Sequence, residues 1–175
     1  MSLSKLTIVI PTFYPGKIIK KCLASLPLTS EIIIIDNGED LELEKIIKLQ
    51  KHKIKHYKVG DVGLSKSFNI ALAKSKNENI LITQPDVCFE KNSIINLVKA
   101  QKKYTKAGII SPLLFEKNKY SQYDYLDLSL SKLGTLENKR RPKKVSMFPS
   151  GDICVEAVNA TAMLIKKSII KKING

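Results

Sequence analysis

Apolar, strand-like runs recur along the chain: KLTIVIP at 5–11, EIIIID at 31–36, KIKHYKV at 53–59, NILITQ at 79–84 and AGIISP at 107–112. Runs this short and this rich in Ile and Val read as strands, and continuous apolar strands are those covered on both faces. They recur at a spacing of roughly 25 residues, which leaves one helix per interval and predicts right-handed βαβ units around a mostly parallel sheet. The intervals carry the helical period. GKIIKKCLASL places Ile18, Ile19, Cys22, Leu23 and Leu26 on one face, and GLSKSFNIALAKS does so with Leu64, Phe68, Ala71 and Leu72. NSIINLVKAQKKY, opened by an Asn or Ser cap, turns Ile94, Ile95, Leu97 and Val98 inward.

After Pro112 the pattern breaks. Residues 113–150 hold Tyr120, Tyr123, Tyr125 and the basic run NKRRPKK (138–144) without a clear period, so an irregular or hairpin-containing excursion is expected. ICVEAV and ATAMLIKK are two further strand candidates, and KSIIKKING reads as a helix that stops at Gly175. The expectation is one α/β domain over 1–175, a Rossmann-like sheet flanked by helices. It comprises a ligand-binding βαβ half (1–112), the excursion (113–150) and the start of a second half (151–175) that is truncated at the C-terminus.

Composition narrows the class. With 175 residues and 43% hydrophobic content, the chain can bury a real core. No apolar run approaches the roughly 20 residues of a membrane span, and Pro11 interrupts the N-terminus too early for a signal peptide, so a cytoplasmic location is expected. Cys22, Cys88 and Cys154 are far apart, lack CxxC spacing and have only His52 and His56 as companions, which favours reduced, packed thiols over a zinc site. A formal net charge of +14 attracts anions, whether nucleic acid, lipid headgroups or phosphorylated small molecules. Against nucleic acid, the chain has no Trp, only 6% aromatics and no helix-turn-helix, RRM or zinc pattern, so no nucleic-acid partner is expected.

Ligands of open parallel sheets sit at the carboxyl ends of the strands, and three of the first four ends here present an aspartate: Asp36, Asp61 and Asp86. Asp36, in Asp-Asn-Gly, and Asp61, between glycines, also suit plain turns. Asp86 lies too far from the helix start near Asn92 to cap it, and Pro85 before it ends the sheet ladder. IPTFYPGK offers one glycine where a dinucleotide loop needs three, and GDVGLSKS lacks the Walker spacing. The helix start at Gly63–Lys66 can still meet a phosphate through free amides and Lys66, or be a helix start and nothing more.

Four segments, LTIVIPTFYPGKIIKKCLASL, EIIIIDNGED, GDVGLSKSFNIALAKSKNENILITQPDV and VNATAMLIKKSIIKKING, resemble in that order the family 2 glycosyltransferases of the GT-A fold, particularly their rhamnosyltransferase-like branch. The likeness covers most of 5–112 and returns over about 155–175. It implies a single GT-A-type nucleotide-sugar-binding domain. The activity implied is transfer of a sugar from a nucleoside-diphosphate-sugar donor to a glycan or lipid-linked acceptor in surface-polysaccharide synthesis. By position, Pro11, Thr12 and Phe13 would hold the nucleoside, Asp36 would bond the base or ribose, and Asp61 and Asn69 would shape the donor pocket. Gln84-Pro85-Asp86 falls on the family's D-x-D signature, often N-P-D in this branch, which places Gln84 beside the donor and gives Asp86 the divalent cation, Mg²⁺ or Mn²⁺.

The match departs at Gln84, a neutral amide in place of the first acid, and at Ala71, where many relatives have glycine. The acidic pair that includes the family's catalytic base has no counterpart, and the resemblance assigns that role to neither Asp152 nor Glu156. A catalytically silent nucleotide-sugar-binding module, or a fragment lacking its base, is therefore the alternative reading. The NKRRPKK run suits peripheral contact with an anionic membrane, and equally a solvated loop.

Overall fold

The structure is a computed structural model that describes residues 3–116, 119–123, 127–130, 136–140 and 151–174. The first strands fall where the apolar runs lie: β1 (Leu6–Thr12), β2 (Glu31–Asp36), β3 (Ile54–Lys58), β4 (Asn79–Thr83) and the two-residue β5 (Ile109–Ile110). Helices fill the intervals: α1 (Ile19–Ala24), preceded by a 3-10 turn at Gly16–Ile18, then α2 (Leu41–Lys48), α3 (Leu64–Lys74) and α4 (Ser93–Lys103). After β5 come two antiparallel pairs, β6 (Phe115–Glu116) with β7 (Lys119–Tyr123) and β8 (Asp127–Leu130) with β9 (Leu136–Arg140). β10 (Ala162–Lys166) and α5 (Lys167–Lys172) follow. The chain divides into one unit formed by residues 1–110 and 160–175 and a second formed by 111–159.

In the first unit the sheet order is β3-β2-β1-β4-β10-β5. β1 pairs in parallel with both β2 and β4, and β2 with β3, as the spacing predicts. β10 runs antiparallel to β4 and to β5. Of the two late strand candidates only ATAMLIKK forms a ladder. ICVEAV alternates between exposed and half-buried residues, as a strand does, but joins no ladder beyond an isolated bridge at Ala157. Of the basic run 138–144, residues 141–144 lie outside the described residues, as does Gly175.

Continuous apolar runs arise because both faces of the sheet are covered. Along one face Ile8, Ile10, Ile32, Ile34, Leu81 and Leu164 pack with Ile19, Cys22 and Leu23 of α1, Leu43 and Ile46 of α2, and Ile94, Leu97 and Val98 of α4. The alternate residues Val9, Ile33, Ile35, Ile80, Ile82 and Ile165 pack with Ala71 and Leu72 of α3 and Ile170 of α5. Successive strand side chains point to opposite faces, so four isoleucines in a row serve two cores, each contributing about 1.5–3 kcal/mol on full burial. Some residues expected inside are exposed: Ile18 falls in the 3-10 turn, and Leu64 and Ile95 lie on the outer sides of α3 and α4. Asn92 precedes α4 in the left-handed region and makes no side-chain cap bond. Asp40 does cap α2, its Oδ1 accepting from Glu42 N at 2.8 Å.

At the amino end of the parallel strands, Glu31 accepts from Lys55 Nζ at 2.5 Å, Thr7 Oγ1 at 2.6 Å and Lys76 N at 3.0 Å. Burial pushes its carboxyl up, but the bonds from Lys55, Thr7 and the Lys76 amide together outweigh that and hold it below the usual glutamate range. A carboxyl depressed in the folded state stabilises above its unfolded value of about 4.3, and that contribution is lost as pH falls through the folded value. Urea midpoints should be flat between about pH 7 and 5, fall below about pH 4.3, and fall less steeply in Glu31→Gln. Identical acid limbs in the two proteins would contradict this role for Glu31.

Candidate functional site

Strand order reverses between β1 and β4, and in open α/β sheets the crevice outside the carboxyl ends at such a switch receives the ligand. β2 and β4 flank β1 in parallel, so the tips bearing Asp36 and Asp86 share one edge of the sheet with Pro11, Thr12 and Phe13. The loop after β3, with Asp61, joins them there.

Asp36 is fully buried. Its Oδ1 accepts from Gly38 N at 3.1 Å, its Oδ2 from Asp40 N at 2.9 Å, and His56 Nε2 lies 3.1 Å from Oδ2. This carboxylate shapes the β2–α2 turn and fastens it to β3. Asn37 reaches further. Its Nδ2 donates to Thr12 O at 3.2 Å and Ile35 O at 3.4 Å, while its Oδ1 accepts from Val62 N at 3.3 Å and Ser67 Oγ at 3.0 Å. One buried amide thus ties the tips of β1 and β2 to the loop before α3 and to α3 itself.

Thr12 is buried, and its hydroxyl donates to Ile35 O at 3.4 Å. Beyond it Phe13 and Tyr14 stand out at 61% and 63% exposure, their rings edge to face with centroids 5.0 Å apart. Tyr14 takes φ of 45°, and its ring lies against Gly38, where any Cβ would come within 3.0 Å of two ring carbons and 3.1 Å of Tyr14 N. A side chain at 38 would therefore make Tyr14 shift by a few tenths of an ångström, so glycine suits this close approach.

Asp61 and Lys66 are exposed, and Gly63, at φ of 77°, starts α3 without a side-chain cap. Asn69 lies further along α3, in a groove of about 340 Å³ that it shares with Leu72, Ala73, Ile170 and Lys171. The structure gathers Pro11, Thr12, Phe13, Asp36, Asp61, Gln84 and Asp86 at the strand tips, and sets Asn69 against α5.

Val87 N donates to Gln84 O at 3.3 Å, closing a turn over Gln84-Pro85-Asp86-Val87. Proline at the second position presets the turn's φ, so Pro85 aims the loop as well as ending the strand. Gln84 N donates to Thr161 O at 3.2 Å, which fixes the turn's base against the residue preceding β10. Asp86, at the third position, is exposed and makes no hydrogen bond or ion pair with the described residues. Among the described residues no three His, Cys, Asp or Glu side chains converge on a metal site. A hard cation that keeps phosphate and water oxygens in its shell needs only one or two protein carboxylates. Asp86, open and unpaired, fits that need, whereas the buried and bonded Asp36 does not.

The residues missed by sequence reasoning are Asn37, Gly38 and Tyr14. Asp-Asn-Gly signalled a turn, but nothing local showed that its asparagine would serve three segments.

A sequence model of glycosyl transferase family 2 matches residues 7–169. No curated protein matches the sequence at a significant level. Among solved structures, the fold is similar to the mannosyltransferase PcManGT from Pyrobaculum calidifontis, solved in complex with GDP-Man and Mn²⁺. That likeness has a TM-score of 0.68 at 13% identity over 98% of this chain and 47% of the other. It is similar also to S. aureus TarS 1-349 in complex with UDP, with a TM-score of 0.65 and 17% identity over 97% of this chain and 49% of that one. The same TarS segment in complex with UDP-GlcNAc gives 0.60 and 15% over 97% and 47%. The chain therefore spans about half the length of these structures, and at such identities the likeness shows the fold, that of the GT-A glycosyltransferases. With a family match running almost from end to end over the sheet and its strand-tip loops, the chain belongs to glycosyl transferase family 2.

Proposed function

We propose that this domain binds a nucleoside-diphosphate sugar at the β1/β4 crevice and serves its transfer, with inversion, to a glycan or lipid-linked acceptor in surface-polysaccharide synthesis. The observation that carries this reading is Asp86, an unpaired, exposed carboxylate held on a proline-preset turn at the switch point of the sheet. Family membership and the nucleotide-bound neighbours support it. The sugar transferred would be a hexose or a deoxyhexose, the latter within a rhamnosyltransferase-like branch.

In this reading the exposed rings of Phe13 and Tyr14 take the base, and Pro11 and Thr12 hold the strand tip beneath it. Asp36, with Asn37, keeps the β2–α2 turn in place under the nucleoside. Asp61, Lys66 and Asn69 flank the sugar and its phosphates, Lys66 supplying positive charge beside the amides that open α3. Gln84 offers an amide to a hydroxyl or water, and Asp86 holds a divalent cation, Mg²⁺ or Mn²⁺. That cation, when bound, would stabilise the charge that develops on the leaving nucleoside diphosphate. Inverting transfer also needs a base for the acceptor hydroxyl, a role assigned to none of these residues.

Among the described residues no helix is long and apolar enough to cross a membrane. A cytoplasmic domain that meets the anionic inner face of the membrane through its basic surface completes the proposal.

Calorimetric titration of a panel of nucleotide sugars, with and without Mn²⁺, tests it. Saturable binding of at least one donor that strengthens with Mn²⁺ is expected. Binding to random DNA with a steep salt dependence, and no response to any nucleotide, would overturn it.

A further inference from the structure

Both ends of the Asp86 loop are fastened to the last turn of α1. At the start, the Cys22 thiol lies 3.6 Å from Gln84 O, the same carbonyl that closes the turn with Val87 N. At the exit, Phe89 N donates to Ser25 Oγ at 3.0 Å, and that hydroxyl donates in turn to Cys22 O at 2.7 Å. Ser25 therefore uses its hydroxyl as donor and acceptor at once, which alanine cannot do.

Burial pushes the Cys22 thiol up to about 12, and the neighbouring Cys88 and Asp86 push in the same direction. Cys22 therefore stays protonated, a weak but permanent donor toward Gln84 O.

Phe89 is half-buried and packs in part against the core. Beside Ser25 a groove of about 240 Å³ opens between Leu26, Pro27, Phe89 and Ile94, so Phe89 has space on that side.

We propose that Ser25 is a positioning residue for the candidate cation site: its hydroxyl pins Phe89 to α1, so the turn holds Asp86 in one place before any cation arrives. The proposal rests on the role given to Asp86 above. Without the tie, the loop must be ordered at the moment of binding, and that cost appears as weaker cation affinity with no contact to the cation lost. Nucleotide binding in the absence of metal, which does not use Asp86, is left as it was.

The test compares wild type, Ser25→Ala, Ser25→Thr and Asp86→Ala, titrated with Mn²⁺ at fixed UDP or GDP and followed by Mn²⁺ electron paramagnetic resonance. Ser25→Ala should weaken Mn²⁺ binding roughly 5–20-fold, the scale of one lost hydrogen bond and its ordering, while metal-free UDP or GDP affinity stays within about twofold. Ser25→Thr, which keeps the hydroxyl, should stay within about threefold of wild type. A role in stability alone would lower the melting temperature without moving the Mn²⁺ titration. If Asp86→Ala loses Mn²⁺ binding and Ser25→Ala does not differ from wild type, the positioning role is refuted and the site reading stands. If Asp86→Ala binds Mn²⁺ as wild type does, the site reading itself fails. Amide exchange of the wild type decides the matter even if no Ser25 variant folds. Phe89 N–H should exchange more slowly than that of Cys88, and more slowly still once Mn²⁺ and nucleotide are added; exchange at the unprotected rate would overturn the proposal.

Discussion

Asp86→Ala is expected to abolish Mn²⁺-dependent nucleotide binding while leaving the melting curve where it was. The side chain is exposed and bonded to none of the described residues, so its removal unsettles little in the fold and should move the midpoint by less than about 1 °C. What it does remove is the one unpaired carboxylate of the Gln84–Val87 turn. Losing a charged ligand from a hard cation should weaken the Mn²⁺–nucleotide complex by roughly 100-fold or more, or about 3 kcal/mol. Asp86→Asn, which keeps the shape without the charge, should fall close to the alanine variant if charge is the essential property. Isothermal titration with UDP or GDP, with Mn²⁺ present and then chelated, reads the effect. Metal-dependent binding within about threefold of wild type would remove Asp86 from the site.

The opposite signature is expected at Asn37, where stability should fall sharply and the cation response persist in whatever fraction stays folded. Truncation to alanine strips four bonds from a buried amide: Thr12 O, Ile35 O, Val62 N and Ser67 Oγ each lose one, with Val62 N keeping Gly60 O and Ser67 Oγ keeping Gly63 O. Each intramolecular hydrogen bond contributes about 0.5–1.5 kcal/mol net, and with four lost together about 2–3 kcal/mol is expected here. For a chain of this size that lowers the melting temperature by roughly 5–10 °C. Differential scanning calorimetry is the check, and a midpoint within about 1 °C of wild type would show that the network is not cooperative.

How much of this was legible in the sequence follows from the range of the interactions involved. Of the parallel strands, β1, β2 and β4 were readable because strands buried on both faces need unbroken apolar runs, and EIIIID or NILIT fits little else. The direction of β10 was not readable, since a strand's pattern says which faces it covers and nothing of which way it runs. ICVEAV shows the converse, an alternating segment that finds no ladder.

At the site, Pro85 and Asp86 were visible because a strand stop and a displaced carboxylate are local features. The partners of Asp36 were only half visible: the Gly38 and Asp40 amides follow from Asp-Asn-Gly, but His56 is 20 residues away on another strand. Asn37 to Val62 and Ser25 to Phe89 span 25 and 64 residues, and ordinary polar loop residues carry no mark of such distant bonds.

The borders of the sheet carry one further consequence. The EIIII stretch of β2 has the composition of a self-templating segment, β-branched and free of proline. It lies one strand in from a border, shielded by β3, whose Lys55 and Lys58 are held by Glu31 and Glu44. The other border, β5, offers only two residues of ladder. A second molecule approaching either side meets ion-paired charged side chains or too few free amides to extend the array. Aggregation through β2 is thus blocked in the folded protein and open only while β1 or β3 is undocked, so solubility during folding favours early docking of both neighbours.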